Sequence, residues 1–156
     1  MKKIIRIILL IVVLAFIFYM SSRNAFESNI YNVELVKLLK NNWGVDLYGL
    51  FGSGYVDVAV RKFGHFFEFL LLSITLYFAL NAFKVRRATI LTIMFCILLG
   101  AADEFHQLYI QGRSASLGDV IIDSMGAITA VSIISLVRII KSEFFYNDDK
   151  YTARNE

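Results

Sequence analysis

At 156 residues, 58% of them hydrophobic and only 19% charged, the chain is more apolar than soluble domains, which average about 45–50% apolar and about 25% charged. The formal net charge is +3, and the basic residues sit beside apolar runs, so nucleic acid is not expected as a partner. A single cysteine excludes an internal disulfide or a thiolate metal cluster.

The apolar residues fall in long runs, which points to an all-α polytopic membrane protein, one domain over residues 1–156. Four spans are expected. The first covers about residues 4–20, IIRIILLIVVLAFIFYM. Lys2 and Lys3 also suit the basic start of a signal peptide, but the following SSRNA offers no clear small-x-small cleavage site, which favours a retained span. Residues 21–60 form a long connection. Its middle, NIYNVELVKLLKN, sets Ile30, Val33, Leu35, Val36, Leu38 and Leu39 among Glu34, Lys37 and Lys40. That is the pattern of an amphipathic helix on the membrane surface. LYGLFGSGY after it reads as turns. The second span is about residues 64–83, the third starts at Ala88, and the fourth is about residues 120–140.

Length decides where the third span ends. Residues 88–102 would make a helix of about 22 Å, against a hydrocarbon core about 30 Å thick. The span is therefore expected to run to Ile110, taking Asp103, Glu104, His106 and Gln107 into its outer turns. The same arithmetic keeps His65 and Glu68 in the second span and Asp123 in the fourth. Ionisable groups at such depth should face the bundle interior or a wet cavity. Arg61, His65 and Glu68 recur at i, i+4 and i+7, within one arc of a helix. Asp119, Asp123, Gly126 and Ala130 form a second stripe, whose small residues let helix backbones approach closely.

Basic clusters at Lys2, Lys3 and Arg6, at Lys84, Arg86 and Arg87, and at Arg138 and Lys141 lie on one side of a four-span bundle. The positive-inside rule makes that side cytoplasmic, N-in and C-in. The polar residues then gather at the extracytoplasmic end. Cys96, Trp43, Phe144, Phe145 and Tyr146 read as packing or interface residues.

Four elements in fixed order resemble the VanZ-like family of small bacterial membrane proteins. They are K-x-x-H-x-x-E-F (Lys62, His65, Glu68, Phe69), D-E-x-H-Q (Asp103 to Gln107), G-R-x-x-S-x-x-D (Gly112, Arg113, Ser116, Asp119) and D-x-x-G-A (Asp123, Gly126, Ala127). SSRN after the first span joins them, and the resemblance runs over about residues 4–140. Gly118 before Asp119 departs from the larger residue expected there. The resemblance implies a place in the bacterial plasma membrane and a role at the cell envelope. The family takes its name from an accessory of glycopeptide resistance that raises tolerance to teicoplanin more than to vancomycin.

Three roles fit the residues. In a binder of a lipid-linked cell-wall precursor or a glycopeptide, Arg113 with Arg61 or Lys62 grips a phosphate or carboxylate. Gln107, Asp119 and Asp123 complete that anion-binding set and hold its cations in place. In an intramembrane hydrolase or transferase, the catalytic set is His65, Glu68, Asp103, Glu104 and His106. A histidine then acts as general base, and Arg113 stabilises developing negative charge. In the third role, the polar face contacts another membrane protein. A divalent metal is the cofactor open to the second reading: His65, Glu68, His106 and one of Asp103, Asp119 or Asp123 supply nitrogen and oxygen ligands.

Overall fold

The computed structural model describes residues 2–152, with side chains for residues 2–143. These residues form α1 (Lys2–Ser21), α2 (Ala25–Trp43), α3 (Leu47–Phe51), α4 (Ser53–Ala82), α5 (Ala88–Gln107) and α6 (Leu117–Thr152), with no strand among them. Helices α1, α4 and α5 and residues Leu117–Glu143 of α6 are each long and apolar enough to cross a membrane. The chain is an all-α polytopic membrane protein. Phe144, Phe145 and Tyr146 lie outside the residues whose side chains are described.

Several boundaries differ from those expected. Helix α4 starts at Ser53, not near residue 64, and the turn-rich stretch shrinks to α3 and a break at Gly52. Val56, in the first turn of α4, is buried, and it lines an apolar cleft with Leu47, Leu50 and Phe51. Packing against α3 thus carries the helix further back than its polar residues suggest. At about 45 Å, α4 outreaches a hydrocarbon core of about 30 Å. About ten of its residues are thus in excess of what the core requires. Helix α5 stops at Gln107 rather than Ile110, since 20 residues already reach about 30 Å. The amides of Tyr109 and Ile110 then fold back onto the carbonyls of His106 and Gln107, at 3.0 and 3.1 Å. Helix α6 begins at Leu117, a turn before the expected residue 120.

The expected surface helix is α2, longer than its apolar middle at both ends. The Asn24 side chain caps it, accepting from Glu27 N at 2.8 Å. Val36 is buried against the bundle, while Phe26, Leu35 and Leu38 stay exposed.

Helix α4 is the central element, packed by α1, α5 and α6, and touched at its start by α2 and α3. Ile17, Phe69, Leu72, Cys96 and Ala127, one or two from each span, form the core cluster, which makes Cys96 a packing residue. The stripe of Gly126 and Ala130 faces inward, as its small side chains allow. A Cβ on Gly126 would lie 2.3 Å from the backbone oxygen of Phe66, so α4 and α6 are in backbone contact there. Further along the same pair, Ser73 Oγ donates to Ala127 O at 3.1 Å. Apolar side chains on the outer faces, among them Ile8, Leu98 and Ile133, are exposed and suited to hydrocarbon.

The ends of the bundle differ in kind. Arg6 donates to Phe78 O at 3.3 Å, and Arg138 bonds the Tyr77 hydroxyl at the end holding the α1 N-terminus. At the other end the α1 C-terminus, the start of α4, the end of α5 and the start of α6 meet. Ala25 N bonds Gln111 O at 3.3 Å, tying α2 to the connection that carries Arg113.

Candidate functional site

The polar side chains come from α4, α5, α6 and the connection between the last two. The 3.6-residue period carries Arg61, His65 and Glu68 up one face of α4. From α5 come Asp103 and Gln107, one turn apart, with Gln107 Nε2 donating to Asp103 Oδ2 at 2.8 Å. These five and Arg113 line a cavity of about 590 Å³.

Helix α2 closes that cavity with Ser28, Tyr31, Asn32, Leu35 and Leu39. Sequence reasoning misses this contribution, because neutral side chains on a surface helix carry no signal by type. The i, i+4, i+7, i+11 spacing of Ser28, Asn32, Leu35 and Leu39 marks one helix face and was the available clue. Leu47, Val60, Phe63 and Phe67 continue the wall, so a polar end passes into an apolar flank.

Arg113 is partly buried. Burial is the largest influence on it and lowers its pKa; nearby Asp103 acts in the opposite direction, and Arg61 adds to the lowering. Among the described residues, no ion pair holds either guanidinium.

Behind the cavity lies a drier layer. His65 is 6% exposed and Asp123 0%, with His65 Nδ1 at 3.2 Å from Asp123 Oδ1. An ionised carboxylate only accepts, so in that state of Asp123 the ring N–H donates and leaves Nε2 free. Gly100 makes the room: a Cβ there would sit 3.0 Å from Asp123 Oδ2. Glu104, 3% exposed, accepts from Ser116 N through Oε2 at 2.7 Å, fixing the entry to α6. Asp119, 4% exposed, meets Lys62 Nζ through Oδ1 at 3.5 Å. Glu104 Oε1 and Asp123 Oδ2 are buried without a hydrogen-bond partner among the described residues.

His106 stands apart from both groups. It turns toward α1, stacks on Phe18 with ring centroids 5.1 Å apart, and meets Ser22 Oγ through Nε2 at 3.3 Å. A second cavity of about 380 Å³ lies there, lined by His106, Phe18 and Asp103. Asp103 is thus the one side chain common to the two faces of α5. The structure gathers Arg61, His65, Glu68, Asp103, Gln107 and Arg113 at one cavity, sets Glu104, Asp119 and Asp123 around His65, and leaves His106 on the far side.

Comparison with known proteins places this architecture. No curated protein and no solved structure matches the chain. A family model described as VanZ/LLP1 matches residues 6–138, a stretch that takes in most or all of each span and every residue of the polar site. The chain belongs to the VanZ/LLP1 family.

Proposed function

We propose that the protein is a bacterial plasma-membrane component, N-in and C-in, that binds the anionic headgroup of a lipid-linked envelope precursor in the cavity beneath α2, and so contributes to tolerance of teicoplanin and related glycopeptides. The observation that carries this reading is the pairing of Arg61 and Arg113, both without an ion-pair partner among the described residues, with an apolar flank. Two guanidiniums suit a phosphate, which they bind through charge-assisted, often bidentate hydrogen bonds. Leu35, Leu39, Phe63 and Phe67 suit the first carbons of the lipid chain. Basic clusters at the opposite end support the outward orientation of the cavity.

The test is binding of a polyprenyl phosphate to the purified chain in lipid nanodiscs, beside teicoplanin susceptibility of a deletion host at matched protein levels. Arg113→Ala is expected to weaken binding about 10- to 100-fold, the loss of one hydrogen-bonded charge, and to abolish protection. His106→Asn, on the other face of α5, is expected to do neither. Equal binding and protection by Arg113→Ala would remove the cavity from the function.

The buried His65–Asp123 pair favours a second reading, a hydrolase or transferase acting on the same class of lipid. His65 Nε2, with Asp123 orienting the ring, would take the proton of an attacking water or substrate hydroxyl, and Arg113 would stabilise the developing charge. Asp123→Asn would then eliminate turnover while the phosphate still binds. Binding and turnover lost together would count against this division of roles.

A further inference from the structure

We propose that His65, Glu104 and Asp119 hold one divalent first-row transition-metal ion, with Asp123 as the carboxylate that orients His65. Each ligand comes from a different helix, α4, α5 and α6, and each offers one atom, all within 4.8 Å of one another. All three side chains are more than nine-tenths buried. Each of them also has a polar partner. His65 Nδ1 meets Asp123, Glu104 Oε2 accepts from the Ser116 amide, and Asp119 Oδ1 meets Lys62. Metal sites have this outer layer, in which a carboxylate on one imidazole nitrogen sets the other for the ion.

A second, independent observation points to a ligand. Glu104 Oε1 is buried with no hydrogen-bond partner among the described residues. A carboxylate oxygen without a donor in a dry setting is costly, and a cation removes that cost. Ligand atoms around an ion with bonds of about 2.0–2.2 Å lie about 3–3.5 Å apart, so the three must close by up to about 1–2 Å. Asp119 can make most of that movement. Its present partner is the Lys62 ammonium, whose side chain is 42% exposed and free to withdraw to water. Lys62 is thus a competitor for the place of the ion.

One imidazole with two carboxylates favours zinc, iron or manganese, and the nitrogen disfavours magnesium and calcium. The ion would leave positions open for water or a phosphate oxygen on the cavity side, where His65 is part of the lining. Ion binding is read directly, so its failure leaves the lipid-binding proposal untouched.

The experiment uses the full chain, purified in detergent without chelator and with any histidine tag removed, and titrated calorimetrically with Zn2+ and Mn2+ and with Mg2+ as control. Elemental analysis is run on the same samples. About one Zn2+ or Mn2+ per chain is expected. Glu104→Gln and Asp119→Asn should each weaken binding at least 10-fold, and Asp123→Asn about 10- to 100-fold, the usual effect of losing an outer-layer partner. Lys62→Gln should bind more tightly than the parent. No Zn2+ or Mn2+ binding by the monodisperse parent overturns the proposal. So does binding that Glu104→Gln and Asp119→Asn both leave unchanged, because the ion then sits elsewhere.

Discussion

Replacing Gly126 by alanine is expected to destabilise the bundle by about 1–3 kcal/mol, the range for forcing atoms into a filled core. The added methyl would start 2.3 Å from Phe66 O, with Leu70 N at 3.2 Å behind it. Both obstacles are backbone, so no rotamer change relieves the contact. The two helices must separate instead, which also stretches the Ser73–Ala127 hydrogen bond between them. Because α4 and α6 carry His65 and Asp123, the same separation should loosen that pair. Thermal unfolding in detergent measures the effect, and a melting temperature equal to the parent's would mean that α4 and α6 are not in backbone contact at Gly126.

The second large effect is the coupling between His65 and Asp123. His65→Ala leaves Asp123 fully buried with neither carboxylate oxygen bonded. Removing one partner of a buried pair costs about 3–5 kcal/mol, whereas replacing both by apolar groups is often close to neutral. His65→Ala with Asp123→Ala should therefore lose markedly less than the sum of the two single changes. The cycle is best measured by chemical unfolding with a chelator present, which keeps any bound ion out of the comparison. Additivity within about 0.5 kcal/mol would show that the two side chains do not share an interaction.

How much of this was legible in the residues varies from element to element. The spans are legible because a hydrocarbon core accepts only long apolar helices, whatever they pack against. The stripe of Asp119, Asp123, Gly126 and Ala130 is legible for a related reason: the helical period is a property of the local chain, and small residues have one efficient use between helices. The early start of α4 is not, since Val56 is buried beside α3, and the break at Gly52 that turns α3 back onto it leaves no apolar period to read.

His106 shows the other limit. It lies two residues from Glu104, and a two-residue step turns a helix by about 200°. Glu104 is buried near His65 and Asp119, while His106 stacks on Phe18 of α1. Sequence gathers the two by proximity along the chain, and geometry parts them. Conversely, Ser28 and Asn32 join the cavity only because α2 folds back over α4.

By itself, then, the sequence determined the fold class, the four spans, a helix in the connection after the first span and the end of the bundle at which the charges collect. These follow from hydrophobicity and the helical period, which act over a few turns of chain. Only the tertiary structure decided which charged groups meet. The partners of His65 are Asp123, Glu104 and Asp119, 39 to 58 residues away along the chain. Such pairings depend on how α4, α5 and α6 rotate about their own axes, and that rotation is set by the close approach at Gly126 and Gly100.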